Sequence, residues 1–274
     1  MDFRAPTVLG RTGLRVSRLG IGSSYGVGAS AVERAFHEHG VNLLYWGTIR
    51  RSGMAQAVRN LKWSHRDQLV VALQSYDRSG LLMRVFVEKG LRALGLDHID
   101  LLILGLHNRT PPRRILDAAR ALVAAGKVRH LALSGHRRSL FGELSRTPDF
   151  PVDVFMFRYN AAHRGAEIEI FPFLPQAGRP GTIAYTATRW GHLLDPRRMP
   201  PGEKPLTATD CYRFALSHPA VDVCLTGPDT AAQMDEAVSA LALGPLGADE
   251  MARARRVGDS LARKTGGRVR AELP

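Results

Sequence analysis

Residues 100–134 read DLLILGLHNRTPPRRILDAARALVAAGKVRHLALS. The stretch opens on an apolar run, Asp100–Leu104. Ile115, Ala118, Ala119 and Leu122 follow at the i, i+3, i+4, i+7 spacing of one helical face, and a second apolar run, Val128–Ser134, closes it. Runs that are apolar almost throughout suit strands of a parallel sheet buried on both faces. The unit is therefore strand, crossover helix, strand. Working outward, the same kind of run recurs at Leu19–Gly22, Asn42–Trp46, Leu69–Leu73, Val154–Phe157, Thr182–Tyr185 and Val221–Thr226. Amphipathic stretches lie between them. Val32, Ala35, Phe36 and His39 share a face, as do Met234, Ala237, Val238 and Leu241. Eight strands alternating with helices in a chain of 274 residues predict a (β/α)8 barrel, with residues 1–274 as a single domain. An open doubly wound sheet is the alternative, but no GxGxxG follows the first strand.

Ahead of the first strand, Gly10 and Gly13 bracket a turn in VLGRTGLRVS, predicting a hairpin that closes the bottom of the barrel. Ala248–Arg263 reads as an extra helix after the eighth unit. Gly191–Pro205 is rich in Pro and Gly and lacks periodicity, so it reads as a loop at the active face and a candidate lid.

Composition narrows the function classes. Hydrophobic residues are 45% and charged residues 23%, the mix of a globular protein rather than a disordered or collagen-like one. No stretch of about 18 apolar residues predicts a membrane span, and MDFRAPTVLGRTG has no apolar leader segment. A cytoplasmic protein without membrane partners is expected. Cys211 and Cys224 form no CxxC pair, so neither a disulfide framework nor a zinc knuckle is expected. The net charge of +13 comes from 33 Arg and five Lys spread along the chain in nothing denser than pairs, whereas a nucleic-acid binder concentrates its charge on one face. No nucleic-acid partner is expected. A pocket for an anionic small molecule fits the charge better. The sequence leaves the oligomeric state open.

Several stretches, in order, resemble the aldo-keto reductases: VLGRTGLRVSRLGIGSS, GVNLLYWGTIRRSG, LRALGLDHIDLLIL, AAGKVRHLALSG, RYNAAH, AYTATRWGHLL and VCLTGPDTAAQMDEAV. The resemblance spans about residues 8 to 243. It implies a (β/α)8 barrel that binds NADP or NAD across its top and interconverts small carbonyls and alcohols through an Asp, Tyr, Lys and His tetrad.

All four tetrad positions differ here. The family's DTAxxYG stretch reads Tyr45-Trp46-Gly47-Thr48-Ile49-Arg50-Arg51, placing Tyr45 where the Asp stands and Arg50 where the proton-donating Tyr stands. The Lys of the third strand falls on Gln74, and the His five residues beyond Asp100 falls on Gly105. None of the five lysines ends a strand. The chain therefore resembles a divergent member of the family, with Tyr45, Arg50, Gln74 and His107 as candidate catalytic residues. Reduction needs a general acid beside the carbonyl oxygen. Tyr45 and His107 are candidates for that proton, while Arg50, whose pKa exceeds about 12, suits an anion clamp. In a second reading Tyr45 fills the volume of the lost Asp and His107 is a solvated loop residue. His107, His136, His163 and His192 each follow a strand on the active face, and three convergent imidazoles would suit Zn²⁺. No HxH or HExxH spacing supports this, and no metal is assigned.

The resemblance also carries cofactor positions. Gly22 and Ser23 end the first strand. Ser134 keeps half of an SN pair that holds the nicotinamide carboxamide. Tyr185 stands where a Tyr stacks on that ring. The pyrophosphate loop is represented by Thr186, Thr188, Arg189, Gly191 and Leu193, and the adenosine side by Gly227, Asp229, Gln233 and Glu236. The family's Gln on the sixth strand is Met156. Its 2′-phosphate cation is replaced by Asp229, a carboxylate that repels a phosphate but accepts a hydrogen bond from a ribose hydroxyl. Two function classes result. One is an oxidoreductase with an atypical site. The other is a redox-inactive barrel, acting as a lyase or isomerase or as a ligand-binding or regulatory protein.

Overall fold

Side-chain alternation along eight parallel strands separates two apolar layers. Leu43 and Tyr45, Val70 and Ala72, Leu101 and Ile103, Val154 and Met156 pack into an inner cluster. Their neighbours Leu44, Trp46, Val71, Leu73, Leu102, Leu104, Phe155 and Phe157 pack outward against helices. Period-two alternation with both faces buried is why these segments read as continuous apolar runs.

The computed structural model describes residues 1–47 and 52–264. A short antiparallel hairpin, β1 (Thr7–Val8) and β2 (Arg15–Val16), precedes the barrel. The barrel strands are β3 (Leu19–Gly22), β4 (Leu43–Trp46), β5 (Val70–Ser75), β6 (Ile99–Leu104), β7 (Val128–Ser134), β8 (Val154–Arg158), β9 (Gly181–Tyr185) and β10 (Val223–Thr226). They pair in chain order, and β10 closes on β3 with Cys224 opposite Leu19. Helices α1 (Ala29–His39), α2 (Ser52–His65), α3 (Gly80–Leu94), α4 (Arg113–Ala124), α5 (Arg138–Leu144), α6 (Ala166–Glu169), α7 (Ala208–Leu216) and α8 (Ala231–Leu243) alternate with the strands, and α9 (Ala248–Lys264) follows. The expected (β/α)8 barrel, hairpin and extra helix are all present.

The hairpin plugs the bottom. Leu9, fully buried, belongs to the inner cluster with Leu14 and Val16. Gly10 has φ +48°, and a Cβ there would lie 2.1 Å from the backbone nitrogen of Gly181, so only glycine lets the turn approach β9. Asn42 precedes β4 instead of opening it. Its side chain accepts from the Ser17 amide at 2.8 Å and donates to the carbonyls of Arg15 and Gln68 at 2.9 and 2.8 Å. Val221 and Asp222 likewise precede β10, and Asp222 accepts from the Thr182 amide at 2.9 Å while pairing with Arg179. His39, expected on the buried face of α1, is exposed at the helix end. Buried Asp100 accepts from the Val71 amide at 2.9 Å and pairs with Arg66 and Arg129, each at 3.1 Å. These carboxylates tie strand starts together and leave the opposite ends free for chemistry.

The Gly191–Pro205 segment is fastened down. Leu193 and Met199 are buried, and the Leu206 amide donates to the Leu193 carbonyl at 3.0 Å. Arg253 of α9 holds the carbonyls of Lys204 and Pro205 at 2.7 and 3.0 Å.

Candidate active site at the barrel mouth

Alternation continues to the C-terminal ends of the strands. The inward positions there are Gly22, Tyr45, Gln74, Ser134, Arg158 and Tyr185. Three are linked in one buried chain. The Tyr45 hydroxyl donates to Oε1 of Gln74. Nε2 of Gln74 donates to Oγ of Ser134 at 2.8 Å, and that oxygen also accepts the Leu106 amide at 3.2 Å. Burial pushes Tyr45 well above the usual phenol range, and the neighbouring hydroxyls of Tyr76, with which it hydrogen-bonds, and of Tyr185 push the same way. Gln74 is neutral, so it cannot stabilise a tyrosinate as an adjacent cation would. Tyr45 is a proton-holding hydroxyl at any ordinary pH.

The loss of a side chain at Gly105 has a steric reason. A Cβ there would lie 2.7 Å from Nε2 of Gln74 and 2.8 Å from the Tyr76 ring. Those two side chains occupy the volume a larger residue at position 105 would need. Gly135 is similar, since a Cβ on it would lie 2.1 Å from the His107 carbonyl oxygen. The loop after β6 sits down on β7, fastened by the His107 amide donating to the Ser134 carbonyl at 2.8 Å.

His107 is therefore buried rather than a solvated loop residue. Its Nε2 lies 3.2 Å from Arg78, which also donates to the carbonyls of Gly105 and Leu106 at 2.9 and 3.0 Å. Burial first, and Arg78 second, lower its pKa to about 4. At neutral pH it is an uncharged imidazole accepting from Arg78. Among the described residues no hydrogen bond joins it to Tyr45.

Across the mouth, Arg158 ends β8 and is 9% exposed. Its guanidinium lies 4.6 Å from the centre of the Trp190 ring. Tyr185, next to it on β9, is pushed up to about 12 by burial, opposed by the charge of and a hydrogen bond to Arg158. The following loop is strained: Thr186, Arg189 and Trp190 have φ of 61°, 53° and 53°. Non-glycine residues hold such angles only where their surroundings enforce them, often at functional sites. Fully buried Asn160 fastens the start of this loop, its Nδ2 donating to the Thr186 carbonyl at 2.8 Å. Arg189 is buried in this loop. His163, facing Arg189, Arg158 and Arg138, is lowered to about 4 by burial and then by those charges.

The remaining candidates are more dispersed. Ser23 is buried at the tip of β3, and its Oγ has no hydrogen-bond partner among the described residues. Thr188 turns its hydroxyl inward to accept the Gly191 amide at 3.3 Å, and Leu193 is buried core. Gly227 lies under the Tyr25 ring, 2.8 Å from where its Cβ would be. Asp229 is exposed, and its amide donates to Oε1 of Gln233 at 2.7 Å. Glu236 accepts the Ala208 amide at 2.9 Å, serving the start of α7. Arg50 lies outside the described residues.

His107, His136, His163 and His192 do not assemble. Among the described residues no group of three His, Cys, Asp or Glu side chains converges as metal ligands. No described helix is long and apolar enough to cross a membrane. A cavity of about 630 Å³ opens at the other end of the barrel, beside His37, His65 and Arg129. It sits at the strand starts beside the hairpin. The buried polar chain, the strained loop and the perturbed histidines all lie at the mouth, which is where barrels of this class carry their chemistry.

Sequence reasoning missed Arg158, Tyr76, Arg78 and Trp190. Ending the sixth strand at Phe157 hid the first of these, because one more residue of alternation after Met156 puts Arg158 inward.

Comparison with known proteins agrees with the geometry. Residues 30–206 match the sequence profile of the aldo/keto reductase family. An uncharacterized oxidoreductase of Bacillus subtilis (strain 168) is 28% identical, with 68% of this chain and 67% of that protein covered. L-Galactose dehydrogenase of Arabidopsis thaliana is 23% identical over 88% of this chain and 90% of its own. Among solved structures, the holo form of an aldo-keto reductase from Bacillus halodurans superposes with a TM-score of 0.75 at 22% identity, covering 92% of this chain and 96% of that one.

Proposed function

The chain belongs to the aldo/keto reductase family, and on that premise we propose that it is an oxidoreductase interconverting a small carbonyl and its alcohol with NADP or NAD through an altered site. The observation that carries this reading is the Tyr45 hydroxyl, held at the barrel mouth by Gln74 and close enough to Tyr185 for the two phenols to influence each other.

The residues present fit a dinucleotide at the mouth. The orphaned Ser23 hydroxyl at the tip of β3 lacks a partner that a ligand would supply. Tyr185 presents a half-buried ring for a nicotinamide, and the strained loop from Thr186 to Gly191 carries Arg189 for a phosphate. When bound, the nicotinamide supplies or takes the hydride. This chain's own residues do the rest. Tyr45 would turn its one hydroxyl hydrogen from Gln74 to the oxygen of the reacting carbonyl. Gln74, held by Ser134, keeps that hydroxyl in place until the substrate oxygen takes over as acceptor. His107, neutral and held by Arg78, lines the wall beside Ser134. Asp229 at the adenosine end favours a free ribose hydroxyl over a 2′-phosphate, hence NAD over NADP.

A second reading, a barrel that has left redox chemistry, draws on the neutral Gln74 and the strongly raised Tyr45. Turnover of small aldehydes with NADH or NADPH, in the native chain and in Tyr45→Phe, separates the two. The redox reading expects slow turnover that falls by at least about 100-fold in Tyr45→Phe with cofactor affinity unchanged. Equal rates in both proteins would remove Tyr45 from the reaction.

A further inference from the structure

The Arg158 guanidinium sits in the inner layer at the mouth, continuing the inward positions Val154 and Met156 of β8. It is 9% exposed, its Nε has no hydrogen-bond partner, and among the described residues it makes no ion pair. Its company is the Trp190 ring, the Tyr185 hydroxyl and cationic Arg189 nearby. Nδ1 of His163 beside it is also buried and unpartnered. Among other buried arginines, Arg213 is fully engaged, whereas Arg18 shares a partnerless Nε with Arg158 but has backbone acceptors for its terminal nitrogen. Arg213 holds Glu250 through two hydrogen bonds at 2.7 and 2.9 Å, and Arg18 donates to two carbonyls. A buried guanidinium without a counter-charge is costly, and an anion at the mouth would offset that cost.

We propose that Arg158 is the anion-binding group of the barrel mouth and that the substrate carries an oxyanion, a carboxylate or phosphate, seated against its guanidinium. The inference rests on the mouth being the substrate site, as argued above. It assigns the substrate class: a small organic acid bearing the carbonyl or alcohol elsewhere in the molecule, reaching from Arg158 toward Tyr45. The guanidinium lies over the Trp190 ring, hydrogen-bonds Tyr185 and keeps its Nε–H without a partner, the donor that an oxyanion would take. A purely structural cation stacked on Trp190 would be indifferent to anions.

The test uses the full chain without cofactor. Acetate, inorganic phosphate and pyrophosphate are titrated at constant chloride, with acetamide as the neutral control, read by calorimetry and by tryptophan fluorescence. Acetate or phosphate is expected to bind saturably, and acetamide at least about 10-fold more weakly. Arg158→Gln is expected to weaken the anion by about 10- to 100-fold, the range for a lost charge-assisted hydrogen bond, with Arg158→Lys intermediate. A second measurement needs no variant: saturating phosphate, which stays anionic through this range, should raise the His163 pKa from about 4, followed by NMR, because a bound anion offsets the surrounding arginines. Equal anion affinity in the native chain and Arg158→Gln, or an unmoved His163, would overturn the proposal. So would an Arg158 dependence confined to pyrophosphate, which would assign the residue to the cofactor. Aldehyde turnover without anion binding would sink this inference and leave the oxidoreductase reading intact. Anion binding without nicotinamide binding would support the anion site and sink the oxidoreductase reading.

Discussion

The Tyr45 hydroxyl donates to the amide oxygen of Gln74, and that amide in turn donates to Ser134. The pair links β4 to β5 at the mouth and makes Tyr45 a directed but reluctant proton donor. Replacing the neutral amide by a cation is therefore expected to matter more than any other change near Tyr45. In Gln74→Lys the ammonium should lower the Tyr45 pKa and raise aldehyde reduction by about 10-fold or more, part of the 10²–10⁴-fold typical of general acid catalysis. A tyrosinate absorbance titration and steady-state rates check this. A folded Gln74→Lys protein with unchanged rate and unchanged Tyr45 titration would show that proton delivery does not limit turnover.

Gly135 lies under the loop after β6, where an added Cβ would meet the His107 carbonyl at 2.1 Å. Backbone cannot swing aside as a side chain does. Gly135→Ala is expected to cost about 1–3 kcal/mol, the range for overpacking, seen as a lower Tm. An unchanged Tm would mean that the loop rides higher on β7.

Asp100, though part of the family-like IDLLIL stretch, is structural. It is fully buried and holds Arg66, Arg129 and the Val71 amide. Asp100→Ala leaves the buried Val71 amide unpaired and is expected to cost about 1–3 kcal/mol, measured by denaturant unfolding. A loss below about 1 kcal/mol would show that water replaces the carboxylate.

His107 titrates near 6.5 when unfolded but is held at about 4 in the fold. The folded state prefers the neutral ring. This contribution is complete above about pH 6.5 and is lost as pH falls toward about 4, because the unfolded chain then binds the extra proton. Between pH 7.5 and 5 it amounts to about 1–2 kcal/mol. His107→Gln should flatten the fall of Tm over that window. An identical fall in both proteins would mean that His107 is accessible and unshifted.

Periodicity made the barrel legible. Ile115, Ala119 and Leu122 all point inward from α4 as spaced, and Val128–Ser134 is a strand to the residue. Strand ends were less legible because side-chain capping sets them: Asn42 and Asp222 look like strand residues but act as staples between neighbouring strands. The mouth was legible only where identity and alternation agree, as at Tyr45, Gln74 and Ser134. The burial of His107 depends on a glycine one helix and one strand further along the chain, Gly135, which lets the loop settle. Arg158 was hidden by a strand boundary one residue too short. Thr188, Gln233 and Glu236 carry family-like identities, but here their side chains hold their own loops and helix starts.

Whether the mouth takes a nicotinamide dinucleotide is decided by titrating the chain with NADH and NADPH and following tryptophan fluorescence, with calorimetry in parallel. Saturable binding of at least one of them is expected, weakened by about 10-fold or more in Tyr185→Ala through loss of ring stacking. Absence of binding for both, with the fold intact, would contradict the oxidoreductase reading and leave a ligand-binding or non-redox barrel.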